Sequence, residues 1–275
     1  MMEFSGLIPK FKINRPLKED ERSEQLFQKQ SLPDKPFYAL SVIKINSTFL
    51  ESVDKYYSSK GSITIFMLFP LALSSALLIM GLSSLFDNKI NGAIAFATVM
   101  SLMATPMIIF SIWAISKECF TYTHWPIRLN RKTRMVHVFR SNKAGGVLSV
   151  PWDKLFFHYG KGAKQTLQHW DLRGHVLSED GKTVLDTFAF SVESVEKEDL
   201  GRHWEFLRRY MEQPIEKFVP SLDPPVEVCL PIADRKEPYV FGLKRLFLNF
   251  NGHPIAQAIF SPLFFVFSLG RFVAM

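Results

Sequence analysis

The 275-residue chain carries 33 Lys and Arg against 26 Asp and Glu, which gives a formal charge of +7. Its two cysteines, Cys119 and Cys229, are too few for a disulfide framework or a cysteine zinc site. The charge is unevenly distributed, because two long stretches carry none while their flanks resemble soluble protein. The totals therefore exclude a disulfide-rich secreted scaffold and indicate a chain divided between lipid and water.

Residues 1–60 are predicted to form a cytoplasmic N-terminal arm. The arm mixes charge with proline and lacks the apolar core and cleavage site of a signal peptide. Residues 17–30 suit a short exposed helix, and 37–45 suit a strand or a segment that packs on a later domain. We expect a partly ordered arm that docks on the following soluble domain, rather than a disordered one.

Residues 61–117 are predicted to form a two-helix transmembrane hairpin. Neither 62–86 nor 92–116 contains a charged residue, and each exceeds the roughly 20 apolar residues that a membrane helix needs. The polar turn 87–91 between them is too short to be a domain. The alternative, two buried helices of a soluble protein, is disfavoured because neither run is amphipathic. The absence of ionisable groups from both runs indicates an anchor and not a transporter.

Basic residues flank the hairpin and predict its orientation. Lys55 and Lys60 precede it, and Lys117 and Arg128 follow, whereas the intervening turn holds one lysine and one aspartate. Cytoplasmic flanks are typically the more basic ones, so we expect a multi-pass protein with both termini in the cytoplasm.

Residues 118–213 are predicted to form a cytoplasmic β-rich domain with a C-terminal helix. Short alternating runs separated by turns predict antiparallel strands, as at 135–139, 147–150 and 183–190. The period then becomes helical, and 196–211 place Leu200, Trp204, Leu207 and Met211 on one face. The predicted fold class is thus an α+β membrane protein, a hairpin plus an antiparallel-sheet domain closed by a C-terminal helix. The architecture resembles a pleckstrin-homology domain, although a plain sheet with one helix fits equally.

No catalytic or cofactor motif is evident. The histidines are scattered over separate segments and lack the spacing of metal ligands. The chain also lacks a Gly-x-Ser-x-Gly nucleophile elbow. We therefore predict that the protein is not an enzyme and has neither a cofactor nor a metal site.

A block of basic residues follows the hairpin directly. Four of them, Arg128, Arg131, Lys132 and Arg134, are predicted to face lipid. Juxtamembrane basic residues gain about 1 kcal/mol each at an anionic leaflet. The alternative for this block is an acidic protein partner; nucleic acid is not predicted, because no nucleic-acid-binding module is recognisable.

Residues 214–275 form a tail with a proline-rich part, 214–238, and an apolar part, 255–269. The apolar part is short for a span and contains Pro262. An interfacial segment, or one packed on the domain, is favoured over a third crossing.

Several short sequence segments in the β-rich part of the chain together resemble one group of bacterial proteins. They are Arg128-Leu129-Asn130-Arg131, Val136-His137-Val138-Phe139-Arg140, Val150-Pro151-Trp152-Asp153, Asp171-Leu172-Arg173-Gly174-His175-Val176-Leu177 and Asp186-Thr187-Phe188-Ala189-Phe190. Over residues 55–211 the chain resembles uncharacterised two-helix inner-membrane proteins encoded beside type VI secretion systems and Rhs-type toxins. The resemblance implies a bacterial inner-membrane immunity protein that binds and neutralises a cognate antibacterial effector, with no catalytic residues to carry over.

The partner-binding residues predicted for such a role form an exposed face of five side chains: Trp152, Asp153, Trp170, Arg173 and His175. Tryptophan and arginine are enriched among interface anchors. Core packing and strand-end hydrogen bonds are the alternative explanation of the same residues. The alternative function is a pleckstrin-homology-like module that binds membrane lipids or scaffolds a membrane complex.

Overall fold

The computed structural model describes residues 11–55, 57, 60–86, 92–119, 122–141, 146–162, 169–194, 196–222, 225–226, 239–248 and 254–274. The predicted turn 87–91 lies outside the described residues, and so do residues 223–224 and 227–238 of the proline-rich part 214–238. Two compact units make up the chain. One combines Met1–Ser59 with His124–Gln257, and the other combines Lys60–Thr123 with Ala258–Met275.

The second unit contains the predicted hairpin. Helix α2 is Ser62–Ser83 and helix α3 is Ala93–Cys119. A Cβ added to Gly81 of α2 would lie 2.7 Å from Met100 Cβ of α3, so a small residue is needed where the helices touch. Large apolar side chains such as Phe69 and Leu102 are more than 70% exposed. Both helices are long and apolar enough to cross a membrane, as predicted.

A third apolar helix corrects the prediction of two. Helix α7, Pro254–Ala274, continues well past the predicted apolar stretch 255–269, which was judged short for a span. Its segment Gln257–Ala274 also meets the length and composition of a membrane span. Arg271 lies in the helix beyond the predicted stretch, and it is buried, with 2% of its surface exposed.

A buried polar cluster joins the helix ends in this unit. The carboxylate of Glu118, near the end of α3, accepts hydrogen bonds from the Gly61 N–H (2.8 Å), the Thr64 N–H (2.6 Å) and the Thr64 hydroxyl (2.6 Å). Lys60 Nζ donates to the Glu118 carbonyl over 2.6 Å, and Arg271 Nη1 donates to the Lys60 carbonyl over 3.2 Å. Charged side chains therefore satisfy backbone groups that helix termini leave unpaired.

The first unit is built from two five-stranded sheets, which confirms the predicted antiparallel architecture. The strands are β1 Arg15–Pro16, β2 Gln25–Leu26, β3 Val42–Ile45, β4 Phe49–Ser52, β5 Ile127–Asn130, β6 Met135–Ser141, β7 Gly146–Pro151, β8 Leu155–Lys161, β9 Trp170–Leu177 and β10 Thr183–Ser194. The first sheet has the order β1-β10-β9-β8-β2, and the second has the order β3-β4-β5-β6-β7.

The N-terminal segment is an integral part of these sheets. It supplies strands to both of them, and β4 pairs with β5 from Phe49 opposite Asn130 to Ser52 opposite Ile127. The short helix α1, Glu19–Ser23, packs near β8. The sequence predicted an arm that docks on the domain, but these strand pairings were not predicted.

Helix α4, Lys197–Glu212, closes the unit as the predicted C-terminal helix. Its four predicted core residues are all buried. Trp204 stacks on Trp152 with the ring centroids 5.6 Å apart and lies 4.8 Å from Phe157. Aromatic stacking of this kind adds to the area that the rings bury. Two further helices follow, α5 at Ile215–Phe218 and α6 at Tyr239–Leu248.

Candidate functional site

Two of the five predicted partner-binding residues are not on the surface. Trp152 and His175 have none of their surface exposed, so the prediction of an exposed face is wrong for both. Trp152 packs in the core because the 3-10 turn before β8 directs its ring towards α4. Asp153 keeps 47% of its side chain exposed, and Trp170 and Arg173 are partly exposed.

Residues of both predicted surfaces meet in one ion-pair network at the end of α4. Arg134, predicted to face lipid, donates to Asp153 through Nε (2.8 Å) and Nη2 (2.7 Å). Its Nη2 also lies 2.6 Å from Glu212, whose carboxylate accepts the Trp152 indole N–H over 2.8 Å. The hydrogen bonds from Arg134 lower the pKa of Asp153. The network therefore holds the turn at 152–153 against the helix.

The other predicted lipid-facing residues differ in their surroundings. Arg128 donates from Nε and Nη2 to the same oxygen of Glu51, Oε2, and lies 4.7 Å from the Phe49 ring centroid. Arg131 donates to the Gln213 carbonyl and lies 5.4 Å from the Tyr210 ring centroid. Lys132 is exposed. Three guanidinium groups are thus occupied by contacts within the unit, and Lys132 alone of the four has an exposed side chain without such a described contact.

Arg173 is held in place by a buried carboxylate. Its Nε lies 2.6 Å from Asp171 Oδ1, while Lys55 Nζ lies 2.6 Å from Asp171 Oδ2. Burial opposes ionisation of Asp171, but the charges of Arg173 and Lys55 prevail and lower its pKa. Only 14% of the Arg173 side chain is exposed, so its main described role is to pair with Asp171.

The structure brings His175 together with two residues that the sequence did not connect with it. Its ring lies on β9 with the centroid 4.4 Å from that of His158 on β8. Glu21, from helix α1, places Oε1 3.5 Å from His175 Nε2. The three side chains are buried, and their ligand-capable atoms all lie within 4.8 Å of one another.

The electrostatics of this cluster, Glu21–His158–His175, favour neutral imidazoles beside an ionised carboxylate. Burial lowers the pKa of His158 to about 3, and burial also lowers that of His175. Burial opposes ionisation of Glu21, yet the adjacent His175 and the hydrogen bonds from Arg15 lower its pKa. Two neutral imidazoles and a carboxylate are the chemical forms that coordinate a metal ion.

The sequence offers little to reveal this cluster. His158 and His175 share one sheet face because Phe156 pairs with His175 and His158 pairs with Arg173 in the β8–β9 ladder. That register depends on a long connection between the strands, partly outside the described residues. Glu21 comes from an exposed-looking charged segment far away in the chain. The one visible signal in the sequence is that six histidines occur between residues 124 and 203.

A third buried histidine makes stability dependent on pH. His203 on α4 has none of its surface exposed, and burial lowers its pKa to about 4. The unfolded chain binds a proton near pH 6.5 while the folded one does not, so stability is present above pH 6.5 and falls as the pH approaches 4. We expect a loss of about 2 kcal/mol from this residue between pH 7 and pH 5.

Thermal unfolding in nonionic detergent at both pH values measures this loss. In His203→Leu the change in melting temperature between pH 7 and pH 5 should be smaller than in the wild type. The control is His169→Leu, because His169 is only partly buried. Equal pH dependence of His203→Leu and the wild type would contradict the expectation.

Comparison with known proteins supplies a family. Residues 104–275 match DUF6708, a family of unknown function. No curated protein and no solved structure matches the chain. Because the family match covers more than half of its residues, the chain belongs to the DUF6708 family.

Proposed function

We propose that the protein is a membrane-anchored binding protein whose β-rich unit captures a partner protein at the membrane. The observation that carries the proposal is the apolar surface of the hairpin, where side chains such as Phe66, Phe69, Ile94 and Leu102 are between 62% and 77% exposed. Such a surface is stable only in lipid or against another protein. The partner that fits the sequence resemblance is a cognate type VI secretion effector, which makes the protein an immunity protein of the bacterial inner membrane.

The topology proposed for the anchor has both termini in the cytoplasm. Strands β4 and β5 pair directly, although the hairpin lies between them in the chain. The segment between them must therefore cross the membrane an even number of times. The basic flanks favour the cytoplasm for both ends.

Helix α7 is proposed to lie in the interfacial plane. Its described contacts with α2 fall in the first turns of α2, where Phe267 packs on Phe66 with the ring centroids 5.4 Å apart and Gly270 approaches Gly61. A Cβ on Gly61 would lie 2.3 Å from the Arg271 nitrogen. Within the described part of the chain, α7 shares no extended interface with α2 or α3. A helix that meets the bundle at one end suits an interfacial position better than a crossing.

Cysteine labelling in intact cells tests the position of α7. Ile255, which is 76% exposed, and Val273, which is 67% exposed, lie near opposite ends of the helix. In a background without Cys119 and Cys229, we expect Ile255→Cys and Val273→Cys both to resist a membrane-impermeant thiol reagent applied from outside, and both to react after the cytoplasmic side is opened. Labelling of either variant from outside would show that α7 crosses the membrane.

The finer fold assignment is also a proposal. Two antiparallel sheets closed by α4 suit a pleckstrin-homology-like arrangement, and such domains often bind lipid headgroups. Lipid binding remains the second candidate function. The intramolecular contacts of Arg128, Arg131 and Arg134 disfavour it, because a guanidinium bound to a carboxylate or carbonyl must exchange that contact for a phosphate.

The candidate partner surface now centres on Trp170. Lys197 Nζ lies 4.1 Å and Lys161 Nζ 5.7 Å from its ring centroid, so the indole contacts two cations. Lys197 is paired with Glu24 over 2.5 Å, whereas the Lys161 side chain is 52% exposed and lies 3.9 Å from Asp20. Tryptophan is a frequent interface anchor, and the weakly paired Lys161 attracts an acidic group of a partner. This surface keeps one of the predicted partner-binding residues, Trp170, and adds the two lysines.

Co-expression with the toxin encoded by the adjacent gene tests the function. The wild-type protein should restore growth and co-purify with the toxin in detergent. Trp170→Ala should weaken toxin binding by at least about tenfold, since loss of an anchor costs about 2 kcal/mol. Leu185→Ala is the matched control. Leu185 is 44% exposed and lies near the start of β10, whereas Trp170 pairs with Ser194 at the end of that strand. Unaltered growth inhibition in the presence of wild-type protein would refute the immunity role.

Liposome binding separates the two functions. Lys132→Glu, which removes no described side-chain contact within the unit, should weaken binding to anionic vesicles if the β-rich unit binds lipid, and should leave toxin protection unchanged if it captures protein.

A further inference from the structure

Two buried nitrogen atoms in the Glu21–His158–His175 cluster have no hydrogen-bond partner among the described residues. They are Nε2 of His158 and Nε2 of His175, both on side chains with no exposed surface. A buried polar atom without a partner destabilises the fold, because it has lost its hydration and gained no hydrogen bond. Two such atoms side by side indicate a ligand that would satisfy both.

The neighbours of His158 determine which ring nitrogen carries its proton. Nδ1 lies 3.0 Å from the Tyr159 carbonyl oxygen, which only accepts hydrogen bonds. Nδ1 of the neutral ring therefore carries the proton, and Nε2 presents a lone pair. Metal-bound histidines are commonly oriented in this way, with one ring N–H donated to a carbonyl and the other nitrogen on the metal.

His175 permits the same arrangement. Its Nδ1 lies 2.8 Å from the Thr187 hydroxyl oxygen, which is able to accept the Nδ1 proton. Strand pairing holds the two residues in place, because Thr187 lies opposite His175 in the β9–β10 ladder. Nε2 of His175 is then free to coordinate beside Nε2 of His158.

The carboxylate of Glu21 is similarly oriented. Oε2 accepts hydrogen bonds from Arg15 Nη1 (2.7 Å) and from the Lys18 N–H (3.1 Å), whereas Oε1 accepts one from Arg15 Nη2 (2.5 Å). Each carboxylate oxygen has about two acceptor sites, so Oε1 retains one. That oxygen is also the one that faces His175 Nε2.

We propose that Glu21, His158 and His175 form a binding site for one divalent transition-metal ion of the zinc class. Two imidazoles and one carboxylate form an N/O ligand set of the kind that binds zinc. Zinc–ligand distances near 2.0–2.1 Å imply ligand separations of about 3.4 Å in a tetrahedral site, so the His–Glu distance already fits. The remaining separations, none above 4.8 Å, need a closure of about 1 Å or somewhat more.

Bound metal would fasten the N-terminal segment to the first sheet. Glu21 belongs to α1, whereas the histidines belong to β8 and β9. The positive charge of Arg15 opposes a second cation, so we expect weaker binding than at a structural site with four protein ligands. The inference is independent of the proposed partner and concerns stability.

Zinc titration of the full-length protein tests the site. The protein is purified in detergent with a tag free of histidine, stripped with a chelator, and titrated with Zn²⁺ while heat and thermal unfolding are recorded. We expect one Zn²⁺ per chain and a higher melting temperature. His158→Gln and Glu21→Gln should each weaken Zn²⁺ binding at least tenfold, whereas His137→Gln, on the other sheet, should bind like the wild type.

Co²⁺ substitution of the wild-type protein keeps the proposal testable if a variant fails to fold. Intense visible d–d absorption bands that Zn²⁺ displaces are expected for a four-coordinate site. The proposal is overturned if the wild type takes up no stoichiometric Zn²⁺, if His158→Gln binds it as tightly as the wild type, or if Co²⁺ gives only the spectrum of the hydrated ion.

Discussion

Trp204→Ala is expected to lower the free energy of unfolding of the β-rich unit by about 3–5 kcal/mol. The indole has no exposed surface and packs against both Trp152 and Phe157, so its removal leaves a cavity between α4 and the sheet. Trp204→Phe should cost much less. It retains a ring in contact, and it removes an indole N–H that has no hydrogen-bond partner among the described residues.

Thermal or denaturant unfolding in detergent, followed by tryptophan fluorescence, measures these differences. Trp170→Ala is the matched control, since it removes a partly exposed indole and should cost about 1 kcal/mol or less. If the alanine variants at 204 and 170 had equal stability, the aromatic stack would not be the centre of this core.

Glu118→Leu is expected to destabilise the unit that contains α2 and α3 by about 3–5 kcal/mol. The change removes the acceptor for two backbone N–H groups and one hydroxyl at the start of α2, where Gly61 and Thr64 are both buried. Glu118→Gln keeps one acceptor oxygen at similar length and should lose about 1–2 kcal/mol, as for a weakened helix cap.

Unfolding in mixed micelles at increasing dodecyl sulfate content measures the stability of this unit. Lys117→Ala is the control, because Lys117 lies in the same turn and contacts the Trp113 ring from a partly exposed position. If Glu118→Leu were more stable than the wild type, the gain from removing a buried charge would exceed the cost of the unpaired N–H groups. That result would contradict the capping role.

The periodic and uncharged segments were predictable from sequence. The hairpin was predicted at 62–86 and 92–116, and the helices occur at Ser62–Ser83 and Ala93–Cys119. The helix predicted at 196–211 occurs at Lys197–Glu212. In each case one local property, uniform hydrophobicity or a 3.6-residue period, determines the structure over several turns.

Structure that depends on distant pairing was not predictable. Strands β1 and β2 have two residues each, too few to show alternation, and exist because β10 and β8 accept them. Residues 152–154 form a 3-10 turn, so β8 begins only at Leu155. Trp152 and His175 were predicted to lie on a binding face for a related reason, since residue type alone does not distinguish an interface anchor from a core residue.

The candidate metal site was likewise only partly predictable. The sequence shows that histidines are present, but whether two of them come together depends on the strand register, and the third ligand is a carboxylate from the N-terminal segment. Register across a long connection has no local sequence signal. A cross-strand ligand set of this kind is therefore invisible to spacing rules that describe a single helix or loop.

The pairing of β4 with β5 imposes an order on synthesis. When β4 leaves the ribosome, its partner strand has not been translated, and the whole hairpin must be made and inserted first. At roughly 5–20 residues per second, the N-terminal strands wait several seconds with unpaired edges. A nascent chain in that state is a natural substrate for a chaperone or the insertion machinery. Slow insertion of the hairpin should therefore lead to aggregation through the unpaired N-terminal strands.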